Sequence, residues 1–168
     1  MTEITDVKSR IIQLSPAVFE EFCSTLLYKE GHKNIYELGI KAGTGKTKTG
    51  NPDTYSRNNN GKYTFVVFTT QQNNIYEKLL EDISKCFDLV DKELPIEKIE
   101  TIICCHTSSN LNAGEDKALH DICLQEGIPL IIWGIDEIAN QILNKYRSMA
   151  KDFLNLFIFP SLVLKPSG

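Results

Sequence analysis

The stretch from Gly50 to Gln71, GNPDTYSRNNNGKYTFVVFTTQ, constrains this chain more than any other. A polar turn, Asn58-Asn59-Asn60-Gly61, separates a short polar segment from an apolar run that ends in Thr69-Thr70-Gln71. Turn residues between two runs of strand formers predict a β-hairpin with a polar edge. Asp53 follows Pro52 at the mouth of that hairpin. A divalent cation takes several oxygen ligands converging from rigid backbone, so a carboxylate held at a strand start is the first residue to consider for metal-assisted phosphodiester chemistry.

Around the hairpin the chain alternates between helical and strand periods. Asp6 to Leu14 is a short amphipathic opening. Ser15-Pro16 then places a serine at an N-cap and a proline at the first helical position. The helix that follows carries Phe19, Phe22, Cys23, Leu26 and Leu27 on one face and stops at Gly31. Glu20 and Glu21 flank this face, where the helix N-terminal dipole favours them. A short strand is expected over Asn34 to Leu38. Ile75 to Leu94 has the helical period and is closed by Pro95, and Ile99 to Thr107 is continuous enough to be a strand buried on both faces. Lys117 to Glu126 predicts a helix ended by Gly127, Pro129 to Trp133 a second buried strand, and Asp136 the cap of a helix through Tyr146. This order implies an α/β fold, a central sheet with parallel members covered on both sides. The tail from Phe153, apolar and broken by Pro160, suggests a docking strand and then a linker at 161–168, with one domain over 1–160.

Composition narrows the function. At 168 residues and 42% hydrophobic, the chain suffices for one domain with its own core. A net charge of -4 argues against holding nucleic acid by bulk electrostatics and leaves a local basic patch as the route. Cys23, Cys86, Cys104, Cys105 and Cys123 form no CxxC pair. Without a signal peptide or membrane-length apolar run, they read as buried free thiols in a reducing cytoplasmic protein. The segment Ala42 to Thr47, AGTGKT, imitates the end of a phosphate-binding loop, but Ile40 stands where that motif has its first glycine, and Thr49-Gly50-Asn51-Pro52 does not favour the helix it requires. Lys41, Lys46 and Lys48 serve better as a basic lip that touches phosphates beside Asp53, or as a solvated loop. His106 reads as a strand-end residue, Ser108 to Asn110 as turn chemistry, Trp133 as core, and Glu115 and Asp116 as capping groups.

LSPAVFEEFCSTLLYKEGHKNI resembles the opening helix of Mrr-like restriction endonucleases, and NPD followed by KYTFVVFTTQ resembles the hairpin of their PD-(D/E)XK nuclease superfamily. The Thr-Thr-Gln ending also resembles N-terminal effector domains of antiviral STAND NTPases. The resemblance implies a restriction-endonuclease-like three-layer core, a central mixed sheet flanked by helices. It makes Asp53 a metal-binding aspartate and Glu20 the helix glutamate that supports Mg2+ or Mn2+. Thr69 or Gln71 would orient the water and Lys46 or Lys48 would meet the phosphate. The Glu-x-Lys or Gln-x-Lys of the second strand is replaced either by Val67 and Thr69 or, two residues later, by Thr69 and Gln71. Two functions follow as expectations: a metal-dependent DNA endonuclease acting in antiviral defence, or a degenerate nuclease fold serving as a nucleic-acid-binding or oligomerisation module. The implied partners are DNA, further copies of the chain and a C-terminal NTPase module beyond Gly168, with no membrane.

Overall fold

The computed structural model describes residues 3–32, 35–37 and 54–157, and of 35–37 and 89–93 the backbone alone. The hairpin forms where the turn residues require it. Strand β2 (Thr54–Arg57) runs antiparallel to β3 (Tyr63–Thr69), with Thr54 opposite Val66 and Arg57 opposite Tyr63. The Asn58 N–H donates to the Lys62 carbonyl at 2.8 Å, and Gly61 turns the chain at φ 81°, a left-handed conformation that glycine adopts without strain. A short strand β1 (Ile35–Glu37) pairs antiparallel with the other side of β2. Strands β4 (Ile99–His106) and β5 (Leu130–Trp133) then add in parallel, giving a five-stranded mixed sheet in sequence order. At the start of β4 the register slips by one residue. The Glu100 beside this slip accepts from the side-chain amides of Asn58 and Asn60, which fastens the hairpin turn to the next strand.

Burial alternates along the central strands because neighbouring side chains point to opposite faces. Val66, Ile103 and Cys105 enter one core, with α1 (Glu3–Ile12), α2 (Pro16–Lys29), α5 (Ile135–Asn144) and α6 (Ser148–Leu154). Phe65, Val67, Ile102 and Cys104 enter the other, with α3 (Ile75–Glu93) and α4 (Ala113–Gln125). The expected mixed sheet, with parallel members and helices on both faces, is therefore present. All five cysteines are free and buried, also as expected. Burial pushes the Cys123 thiol up to about 11, which suits packing rather than nucleophilic attack. No helix among the described residues is long and apolar enough to cross a membrane.

Helix boundaries follow local chemistry. Ser15 Oγ accepts from the Val18 N–H at 3.3 Å, and Gly31, at φ 111°, ends α2. Two starts lie earlier than sequence suggests. Helix α4 begins at Ala113 rather than Lys117, because Asn112 and Glu115 form a reciprocal capping box: Asn112 Oδ1 accepts from Glu115 N at 2.8 Å, and Glu115 Oε1 accepts from Asn112 N at 3.1 Å. Helix α5 is capped by Gly134, whose N–H donates to Glu137 at 2.9 Å, so Asp136 belongs to the first turn. Phe153 lies in α6, not in a docking strand; the strand expectation for 158–168 and the linker lie outside the described residues.

Ile103 is fully buried in the middle of the sheet. Ile103→Ala should lower the unfolding free energy by about 2–5 kcal/mol, read from a urea transition whose midpoint falls while its slope stays unchanged.

Candidate functional site

Strand direction brings the polar residues to one edge. β2 alone opposes the others, so β1, β3, β4 and β5 all end at the same side. Glu37 and its partner Thr54 lie at that side too. Residues 38–53, which connect them and contain Lys46, Lys48 and Asp53, lie outside the described residues. Thr69 and His106 are register partners at the same edge.

The loops after β3 and β4 are joined there by Gln72. Its Nε2 donates to Thr107 Oγ1 at 2.6 Å and to the Thr107 carbonyl at 3.2 Å. Its own carbonyl accepts from Ser108 Oγ at 2.7 Å and from Asn110 Nδ2 at 3.0 Å. Sequence reasoning singled out Gln71 and passed over Gln72. The signal that separates them is spatial, since Gln72 meets residues more than thirty positions away. Gln71 instead holds its own turn, its Nε2 donating to the carbonyls of Asn73 and Asn74 at 2.7 and 3.2 Å. Thr69 Oγ1 accepts from Gln71 N at 3.1 Å.

Glu20 is buried on α2, whose apolar face packs with Val66 and Phe68. Val67, fully buried, lies on the opposite face of the sheet, and strand alternation puts Thr69 on that face with it. Glu20 and Thr69 are thus separated by the sheet. Among the described residues no group of three or more His, Cys, Asp or Glu side chains is placed to hold a metal ion.

A crevice of about 370 Å³ opens between the ends of β4 and β5. It exists because α4, after β4, packs on one face of the sheet and α5, after β5, on the other. Diverging connections at the carboxyl ends of neighbouring parallel strands leave a cleft, the usual place for a ligand in an open α/β sheet. His106, Leu111, Asp116, Ile132, Gly134 and Glu137 are among its walls. His106 is only 3% exposed. Its Nδ1 accepts from the Ser108 N–H at 3.2 Å, which places the proton of the neutral ring on Nε2. Burial holds its pKa below the ordinary histidine value, although nearby Asp116 acts the other way. Gly134 is needed beside this ring: a Cβ there would lie 3.0 Å from His106 Cε1 and 3.1 Å from Nε2. Lys8 pairs with Asp136 across the rim, and His120 lies 3.5 Å from Asp116.

Two outcomes test this arrangement. Gly134→Ala should displace the His106 ring and destabilise by about 1–3 kcal/mol, the usual cost of overpacking, with the His106 ring resonances shifting in NMR spectra. Between the lowered His106 pKa and the ordinary 6.5, the unfolded chain binds more protons than the native one. Stability should therefore rise with pH across that interval and be lost as pH falls through it. His32, also held low by burial, contributes with the same sign. Melting curves from pH 7.5 to 5 should show a shallower decline for His106→Asn than for the wild type, and His32→Asn should remove a further part of it.

Compared with known proteins, the sequence matches the family described as Type III restriction enzyme, res subunit, over residues 8–159. No curated protein matches the chain, and neither does any solved structure. The match overturns the resemblance to Mrr-like endonucleases, to the PD-(D/E)XK superfamily and to effector domains of STAND NTPases, because the matched family is a helicase-like P-loop NTPase family. The physical weakness of that resemblance lies on β3. Val67 is sealed in the core, the Thr69 hydroxyl caps its own turn, and neither supplies the charge that a Glu-x-Lys strand carries. The matched range includes the AGTGKT segment, Ala42 to Thr47, which the missing glycine at Ile40 had argued against. The chain belongs to the restriction-enzyme-related family of type III res subunits.

Proposed function

We infer that this chain acts on DNA as part of a restriction enzyme and meets phosphates at the carboxyl edge of its sheet. The family match over residues 8–159 carries the reading, since restriction enzymes act on DNA. The chain's chemistry supports it. A protein of net charge -4 needs a local cluster of cations to approach a polyanion, and Lys41, Lys46 and Lys48 crowd one short connection that begins after Glu37 and ends before Thr54. Exposed Ser109 and Asn110 add hydrogen-bonding groups at the same edge.

Anisotropy titrations of a labelled duplex between 50 and 200 mM salt should give binding that weakens with salt. Lys46→Ala and Lys48→Ala should each reduce the logarithmic salt slope by about one and weaken binding to all sequences alike. Absence of binding at the lowest salt, or a slope indifferent to both substitutions, would overturn the reading.

A second reading concerns energy supply, favoured by the P-loop character of the family. Gly45, Lys46 and Thr47 retain the part of the motif whose lysine reaches the terminal phosphates and whose hydroxyl reaches Mg2+. Steady-state ATP hydrolysis, stimulated by DNA and reduced at least a hundredfold by Lys46→Ala, is the expected result. Hydrolysis that survives the substitution assigns it elsewhere. The same reactions with Mg2+ or Mn2+ show whether DNA is cut, and loss of cutting in Asp53→Ala would identify Asp53 as a metal-supporting residue.

A further inference from the structure

The cleft between the ends of β4 and β5 has a wall chemistry unlike that of a phosphate or metal site. Asp116, Asp136 and Glu137 surround its entrance, and carboxylates repel phosphate oxygens. A metal would need an unprotonated imidazole nitrogen facing the cleft, yet Nδ1 of His106 is occupied by the Ser108 N–H, so Nε2 holds the proton. What the cleft offers is one buried N–H donor with no hydrogen-bond partner among the described residues, carboxylate acceptors beside it, and apolar walls from Leu111 and Ile132. Its 370 Å³ falls at the lower end of the roughly 300–1,000 Å³ of small-ligand pockets.

We propose that this cleft binds a nucleobase whose Watson–Crick edge sets an exocyclic amino group beside a ring acceptor, adenine or cytosine, with His106 Nε2–H donating to the ring nitrogen and Asp116 accepting from the amino group. The flat ring lies between the apolar side chains of Leu111 and Ile132. Uracil and thymine present a ring N–H to His106 and carbonyls to the carboxylate, so donor meets donor and acceptor meets acceptor. Guanine's ring N–H faces His106 in the same unfavourable way. The base comes either from a free nucleotide or from an unpaired position in a DNA strand. Only the second source rests on the DNA-acting reading above, and it resembles the capture of an extruded base in its need for an unstacked ring.

The test uses uncharged probes first. Adenosine, cytidine and uridine are titrated into labelled protein while the Gly134 amide and the His106 ring are followed by NMR. Adenosine and cytidine should bind at least tenfold more tightly than uridine, and His106→Ala and Asp116→Asn should each weaken them tenfold or more. Because His106 is buried, Asp116→Asn, at a partly exposed site in the first turn of α4, decides the matter should the histidine variant not fold. Equal binding of uridine, no response to adenosine, or unchanged affinity in the folded variants overturns the proposal. Single-stranded oligonucleotides that compete with adenosine, where fully paired duplex does not, assign the base to DNA; failure to compete assigns it to a free nucleotide. Adenosine binding without any DNA binding removes the DNA-acting reading alone, and DNA binding without nucleoside binding removes this proposal alone.

Discussion

Strand β4 has no solvated face along Ile102–Cys105, and the rest of the molecule is arranged to satisfy it. Ile102 and Cys104 must be covered by α3 and α4, Ile103 and Cys105 by the helices on the other side. A strand buried on both faces cannot sit at an edge, so parallel neighbours must supply its backbone hydrogen bonds on either flank. Parallel neighbours need crossover helices, and those crossovers are α3 and α4. The cleft at the end of β4 follows from the same requirement: one face is already filled by α3 and α4, and the helix after β5 has to cover the other.

The constraint also places polar groups at the strand ends. His106 continues the buried register of β4 and is still almost wholly enclosed, while the next residues turn into a loop. Its ring is held from two directions, by the Ser108 N–H and by the bare face of Gly134. Gln72 then ties that loop to the one after β3 through four hydrogen bonds. A carboxyl edge stapled in this way presents its donors from a fixed frame, which a recognition site needs more than it needs extra contacts.

Much of this frame was legible in the residues. The hairpin, the Ser15-Pro16 helix start and the doubly buried β4 rest on local rules that tertiary packing did not contradict, whereas β5, expected to be buried on both faces, is the edge strand of the sheet and leaves Ile131 39% exposed. The misses have local causes as well. Helix α6 starts at Ser148 behind Arg147, with no side-chain cap, and is fixed mainly by burying Met149, Ala150 and Leu154 against the α1 and α5 side, so nothing in its own seven residues announces it. Asp136 resembled a cap, yet the backbone of Gly134 and the carboxylate of Glu137 do that work. His106 passed for an ordinary strand-end residue because its distinguishing features, the occupied Nδ1 and the glycine across the cleft, join positions far apart in sequence. The family assignment failed for a different reason. A Pro-Asp pair, a Phe-Glu helix and an order of elements are short patterns that a sheet of this type can carry in unrelated proteins, whereas the match over residues 8–159 draws on nearly the whole chain.

Charge is divided between two connections of the sheet rather than mixed. In sequence, Lys41, Lys46 and Lys48 belong to the connection between β1 and β2, while the carboxylates Asp116, Asp136 and Glu137 line the cleft at the ends of β4 and β5, the other end of the strand order. A polyanion is drawn to the first region and repelled by the second, so an approaching strand would be oriented by the difference before making any short contact. Lys8 reduces that repulsion by pairing with Asp136. An uncharged group, such as the base rather than the phosphate of a nucleotide, avoids the conflict. On the two proposals above, an acidic chain would act on nucleic acid by meeting its backbone with the lysines of one connection and its neutral base with the cleft at the end of β4.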